Sequence, residues 1–143
     1  MQILMETEAL AAFLAAEFQQ VADDFAIERL TGEGIEVRLR VAERHLRPGG
    51  TVSGPSIFAL ADVAVYLAIL SRIGPVALAV TTSASLDFLR KPAAGRDLIA
   101  RTRLLKLGRS LAVADVLVYS EGMAEPVARA AMTYSIPPAG GVK

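Results

Sequence analysis

The sequence predicts an α+β domain in which an antiparallel sheet wraps around one central hydrophobic helix, with an extra helix at the N-terminus. Three observations lead there. Helix-like and strand-like segments follow one another in the order helix, two strands, helix, four strands. The second helical segment is apolar almost all round, which in a soluble protein makes it a buried helix. The 143 residues are 53% hydrophobic with a mean hydropathy of +0.44. That is enough for one domain with a real core, and apolar enough to favour a homo-oligomer.

Residues Glu6 to Val21 carry Leu10, Phe13, Leu14, Phe18 and Val21 at helical spacing. Residues 1–22 are therefore read as an N-terminal helix within a single domain spanning 1–143. Phe25–Leu30 and Ile35–Val41 read as strands, the second with Ile35, Val37, Leu39 and Val41 on one face and Glu36, Arg38 and Arg40 on the other. Thr31-Gly32-Glu33-Gly34 between them reads as a hairpin turn. His45–Ser53 is irregular. The second helix starts near Ser53-Gly54-Pro55, where Ser53 or Gly54 can cap and Pro55 sits where a missing N–H costs nothing. It runs to about Arg72 and stops at Gly74-Pro75, a length of about 27 Å for roughly 18 residues. Its longest apolar run, Ile57 to Leu70, is shorter than a bilayer requires and contains Asp62. Ala77–Leu89, Leu98–Leu107, Leu111–Tyr119 and Val127–Ile136 are the remaining strands, separated by turns at Pro92-Ala93-Ala94-Gly95, Gly108 and Glu121-Gly122-Met123. Residues 138–143 read as a tail.

A net charge of zero and a pI near 6.6 argue against nucleic acid or an anionic membrane as partner. The chain has no cysteine and one histidine, so a disulfide framework, a thiol nucleophile and a zinc site are all disfavoured, and no metal or cofactor is expected. The early Glu6 and Glu8 do not fit a secretory signal, and a cytoplasmic protein is expected. There is no Gly-x-Ser-x-Gly elbow and no phosphate-binding Gly-x-x-x-x-Gly-Lys-Ser/Thr loop. His45, in the loop before the second helix, is read as a satisfied surface or core histidine.

Between Pro48 and Ser71 the one formal charge is Asp62, about two turns into the apolar helix. An ionised carboxylate in such surroundings costs several kcal/mol, and aspartate is a poor helix-interior residue. Held in an apolar, partly dry site it is a ready nucleophile or general base. The competing reading is that Asp62 points away from the helix, or pairs with an arginine such as Arg90. Gly49, Gly50 and Gly54 let backbone approach a ligand closely, and the helix start offers free N–H groups suited to a carbonyl oxygen gaining charge; an ordinary glycine loop is the alternative. Thr81 and Thr82 could hold a water near Asp62, or simply be β-branched residues that suit a strand. Arg90, Lys91, Lys106 and Arg109 lie at strand ends and turns, where they could meet phosphates or merely be solvated.

The stretch His45-Leu46-Arg47-Pro48-Gly49-Gly50-Thr51-Val52-Ser53-Gly54-Pro55, followed by Ala61-Asp62, resembles the hot-dog thioesterases of the phenylacetate-degradation (PaaI-like) type, in the 4-hydroxybenzoyl-CoA thioesterase superfamily. Leu86-Asp87-Phe88-Leu89-Arg90-Lys91-Pro92-Ala93, Gly108-Arg109-Ser110-Leu111-Ala112 and the last strand resemble it too, so the likeness covers roughly residues 25 to 137. It implies a hot-dog fold that pairs edge to edge into a homodimer or homotetramer, with an acyl-CoA site at the dimer interface. Coenzyme A would then enter as part of the substrate. By position, Asp62 matches the nucleophile or general base, Gly54 the glycine whose N–H polarises the thioester carbonyl, and Thr81 a hydroxyl that helps hold the water. The family usually has asparagine where Arg47 stands, histidine where Ser53 stands and glycine where Pro55 stands. Arg47 would substitute for the usual polar partner as a cation near Asp62. Phe58, Tyr66 and Phe88 would hold the acyl or aryl group, and Gly50, Ser53, Arg90, Lys91 and Arg109 would complete the substrate contacts. The expected activity is hydrolysis of small or medium acyl- or aryl-CoA thioesters. The alternative is a non-catalytic hot-dog module that binds such a ligand.

Overall fold

A computed structural model describes residues 2–138, so the tail read at 138–143 lies outside the described residues beyond Pro138. The elements run α1 (Thr7–Glu17), β1 (Phe25–Leu30), β2 (Gly34–Leu39), α2 (Gly54–Ile73), β3 (Val80–Phe88), β4 (Leu98–Leu107), β5 (Leu111–Ser120) and β6 (Pro126–Ser135). The strands form one six-stranded antiparallel sheet in the order β1-β2-β4-β5-β6-β3. α2 lies across one face of it, the architecture expected from the segment order.

Alternation decides which side of the sheet is buried. Ile35, Val37 and Leu39 of β2, Leu98 and Ala100 of β4, Ala114, Val116 and Val118 of β5, and Ala128 and Met132 of β6 all turn toward α2 and are buried. The alanines among them leave room for the helix to approach. In return Leu60, Ala61, Ala64, Leu67, Ala68, Ile69 and Leu70 are fully enclosed. At 20 residues α2 is longer than the sequence spacing suggested, and it is long and apolar enough to cross a membrane. Within the fold 72% of its most apolar window is buried, so its greasy faces are taken up by the sheet.

Both ends of α2 are tied down. Ser53 caps the start, its Oγ accepting from the Ser56 N–H at 3.3 Å. At the other end the Leu4 and Met5 N–H groups donate to the Ser71 carbonyl at 2.7 and 3.1 Å. Arg72, buried, donates to the carbonyls of Gly34 (2.9 Å) and Thr31 (2.5 Å), fastening the helix to the β1–β2 hairpin.

Three elements are shorter than their periodicity implied. β2 spans Gly34–Leu39 instead of Ile35–Val41, because the Arg40 N–H turns to the Asp24 carbonyl at 2.8 Å and the Val41 N–H to the Asp97 carboxylate at 3.0 Å. α1 ends at Glu17 instead of Val21, because Phe18 leaves helical geometry and packs edge-on against Tyr66, ring centroids 6.5 Å apart. β3 starts at Val80 instead of Ala77, because the Ala77 carbonyl accepts from the Tyr66 hydroxyl at 3.1 Å. β3 is an edge strand whose sheet neighbour is β6, and most of its residues are exposed.

Candidate active site

Asp62 sits on α2 where the helix passes the start of β3. Its Oδ1 accepts two hydrogen bonds, from the Thr81 hydroxyl at 2.5 Å and from the Tyr134 hydroxyl at 2.8 Å. The carboxylate is half-buried and makes no ion pair among the described residues, so the expected lone acid on the apolar helix is present. Arg90 is engaged elsewhere: it donates to the Pro126 carbonyl and lies 3.8 Å from Glu125, so the alternative pairing with Asp62 does not occur within the chain.

Sheet register explains why two hydroxyls converge on one oxygen. Thr81 and Tyr134 are direct cross-strand partners in the β3·β6 ladder, and partners share a face. Simple alternation would send Thr81 outward with Ser83, Ser85 and Asp87. The ladder shifts between Thr81 and Ser83, and this bulge returns Thr81 to the helix side with Ala84, Leu86 and Phe88. Tyr134 is only 3% exposed, with Tyr66 beside it at 6.4 Å between ring centroids. Burial, reinforced by the Asp62 charge, pushes the Tyr134 hydroxyl well above the ordinary phenol range. It therefore stays protonated and donates. Tyr134 is the site residue that sequence reasoning missed. A tyrosine in a strand is commonplace, and the one available signal was its place on the inward face with Ala128, Ala130 and Met132, where a polar tip needs a partner.

Asp62, Thr81, Tyr134, Tyr66 and Phe18 border a cavity of about 370 Å³, with Glu17 and the 77–80 segment completing its wall. A second cavity, of about 610 Å³, opens at the start of α2. It is bordered by Arg47, Ser53, Gly54, Phe88, Arg90 and Lys91, with Thr51, Pro55 and Pro92 nearby. Gly54 faces the Phe88 ring so closely that a Cβ on it would lie 3.4 Å from the ring tip. Gly49 and Gly50 form the turn of the preceding loop with φ of +105° and +88°, left-handed values that suit glycine.

The predicted site residues thus fall into two groups that the single chain does not join. Gly54 and Asp62 are eight residues apart on α2, or about 12 Å along the axis. Within one chain Arg47 lies with Gly54 and apart from Asp62, because the loop carrying it folds back on the helix start through the Arg47 N–H to the Thr51 carbonyl and the Gly50 N–H to the Arg47 carbonyl. Phe58, Tyr66 and Phe88 do not share one pocket either. Tyr66 borders the Asp62 cavity and Phe88 the Gly54 cavity, while Phe58, 38% exposed, borders neither. Arg109, in the β4–β5 turn, is exposed and borders neither cavity. His45 is buried, its Nδ1 accepting from the Ala42 N–H at 2.9 Å, as befits a structural histidine. A shallow groove of about 620 Å³ runs over the sheet face opposite α2, among Asp87, Arg101, Arg103, Asp115 and Arg129. It contains none of the predicted residues.

Comparison with known proteins bears on this division. The family model described as the thioesterase superfamily matches residues 49–127, more than half of the chain and the segment holding both Gly54 and Asp62. A Pseudomonas aeruginosa protein carrying a provisional esterase name is 36% identical over 84 residues, 59% of this chain and 63% of that one. The chain therefore spans less than two thirds of that curated relative. A provisionally assigned thioesterase from a Silicibacter strain is 59% identical over 96% of both chains, with a TM-score of 0.91. A variant of the phenylacetic acid degradation protein PaaI from Thermus thermophilus is 31% identical, covering 87% of this chain and 98% of that one, TM-score 0.68. A hypothetical thioesterase from Streptococcus pneumoniae, solved with coenzyme A, shares the fold at 20% identity, with coverages of 87% and 97% and a TM-score of 0.73.

Proposed function

Because the chain belongs to the thioesterase superfamily and has its hot-dog fold, we propose that it hydrolyses small or medium acyl- or aryl-CoA thioesters, with Asp62 as nucleophile or general base. The observation that carries this reading is the division of the chemistry along α2. The acid and its hydroxyls occupy one cavity, and the glycine with its cations occupies another about 12 Å away. A backbone donor stabilises an oxyanion only at about 2.7–3.1 Å, so Gly54 cannot serve the Asp62 of its own chain. A second copy resolves this. The acid lies by the start of β3 and the glycine by its end, and antiparallel pairing of two β3 edges sets the start of one beside the end of the other. Exposed Val80, Phe88 and Phe58 along that border support the pairing.

In the composite site the Gly54 N–H of one protomer polarises the thioester carbonyl. Ser53 leaves that N–H free, since its own capping bond goes to Ser56. Asp62 of the other protomer either takes a proton from the attacking water or adds to the carbonyl itself, giving an anhydride that water then cleaves. The C–S bond breaks, and the products are a carboxylic acid and the thiol of coenzyme A. Thr81 spends its proton on Asp62, and its lone pairs remain to accept from the water. Tyr66 and Phe88 then wall the acyl group from opposite sides. Arg47, Arg90 and Lys91 offer cations to the coenzyme's phosphates, and coenzyme A in the Streptococcus pneumoniae neighbour supports that ligand class.

The test is a panel of short, medium and aryl acyl-CoAs with released thiol as readout. Asp62→Asn should lower kcat by roughly 10²–10⁴-fold while the protein stays folded. Equal, negligible rates for wild type and variant on every substrate would refute the enzymatic reading. The second reading, a non-catalytic binder of the same ligands, is favoured by Arg47, Ser53 and Pro55 standing where the family usually has asparagine, histidine and glycine. It predicts thermal stabilisation by acyl-CoA without turnover.

A further inference from the structure

We infer that Tyr134 is a positioning residue for the reaction, holding Oδ1 of Asp62 jointly with Thr81 so that Oδ2 is the one oxygen that meets the substrate. This rests on the hydrolase reading above. A carboxylate has two equivalent oxygens and can turn about its last bond, so a free Asp62 would present either oxygen in many directions. Two donors on one oxygen remove that freedom. The bonds, 2.5 Å from Thr81 and 2.8 Å from Tyr134, come from residues fixed opposite each other in the sheet. The Tyr134 ring cannot swing away, being almost fully buried next to Tyr66. Its hydroxyl also lies 3.0 Å from the Asp62 main-chain carbonyl, which ties the side chain to its own turn of α2. The donors draw negative charge toward Oδ1, and the lone pairs on Oδ2 remain open to a water proton or a carbonyl carbon. Misplacing a reacting group by about 1 Å can cost about 10²-fold, so an anchor of this kind has a measurable effect on rate.

The rival explanation is structural: Tyr134 could simply satisfy a half-buried carboxylate and a helix carbonyl. The two separate in kinetics. Using an acyl-CoA that wild type hydrolyses, kcat, KM and melting temperature are measured for wild type, Asp62→Asn, Tyr134→Phe, Thr81→Val, Thr81→Ser and the Tyr134→Phe/Thr81→Val pair. Positioning predicts that Tyr134→Phe lowers kcat by about 10–100-fold, with KM within about 2-fold and the fold intact. It also predicts that Thr81→Ser rescues part of what Thr81→Val loses, and that the paired variant loses less than the product of the single losses, because both donors act on one oxygen. Tyr134→Phe with wild-type kcat and a lowered melting temperature overturns the inference and leaves the hydrolase reading standing. If Tyr134→Phe does not fold, Thr81→Val decides, and wild-type kcat in that variant overturns it equally. Should wild type prove no faster than Asp62→Asn, the proposed function itself fails and the inference with it.

Discussion

Gly54 matters through the side chain it lacks. A methyl there would meet the Phe88 ring at 3.4 Å, an ordinary contact, and alanine is the better helix former. Gly54→Ala should therefore fold with stability within about 1 kcal/mol of wild type, yet narrow the cleft where the thioester carbonyl is to lie. We expect a loss of turnover of at least about 10-fold without a loss of melting temperature, checked by thiol release beside thermal unfolding. Tyr134 gives a second prediction, in alkali. Burial and then the Asp62 charge raise its hydroxyl above the value of an unfolded tyrosine, near about 10. The neutral phenol thus contributes its full stability below that pH and loses it as pH climbs, since only the unfolded chain releases the proton. Tyr134→Phe lacks this loss. The gap in unfolding free energy between wild type and variant should shrink between about pH 9 and pH 11, measured by urea unfolding. At this scale the sequence was readable for Asp62, a lone charge on an apolar helix. It was not readable for Tyr134, whose partner stands 72 residues away and is found only through strand register.

α2 and the hairpin below it are joined by a charge that has no counter-ion among the described residues. Arg72 is buried, and burial lowers its pKa from the ordinary arginine value, but its guanidinium fork reaches two main-chain carbonyls at once, with Ser71 Oγ 2.7 Å away. Removing it takes a donor from each: the Gly34 carbonyl keeps the Thr31 N–H at 3.0 Å, and the Thr31 carbonyl loses its guanidinium partner. Arg72→Met should destabilise the protein by about 2–4 kcal/mol in urea unfolding, with kcat little changed in the fraction that remains folded. Arg72→Lys should recover only part, since a single ammonium cannot reproduce the planar fork. The elements themselves were largely legible. β4 begins and ends where the alternation placed it, and α2 starts at the Ser53 cap that the local residues advertise. Misreadings gathered where tertiary contacts overrode local pattern. Phe18 left α1 to meet Tyr66, Ala77 left the ladder to accept from the same tyrosine, and the bulge after Thr81 reset the inward face of β3. Periodicity within a segment contains none of these contacts.

For the whole molecule, a site assembled from two copies makes a distinctive prediction. In the composite site we propose, Asp62→Asn and Gly54→Ala damage different halves, so neither homodimer would have an intact site. Unfolded together and refolded, the two chains should form heterodimers in which one of the two sites is undamaged, restoring about 25% of wild-type activity at equal mixing. No recovery in a mixture that demonstrably exchanges chains would place the whole site in one chain. The resemblance implied a site at a dimer interface, whereas composition implied only the coarser expectation of an oligomer. The strand order has a further result for biosynthesis. β3 joins the sheet through β6, the last of the described strands in chain order. A ribosome that has delivered Asp62 must add more than seventy residues before the tyrosine that anchors it exists, and until then β3 has no strand to lie against. A message cut between α2 and that strand yields a chain equipped with the acid but lacking its seat.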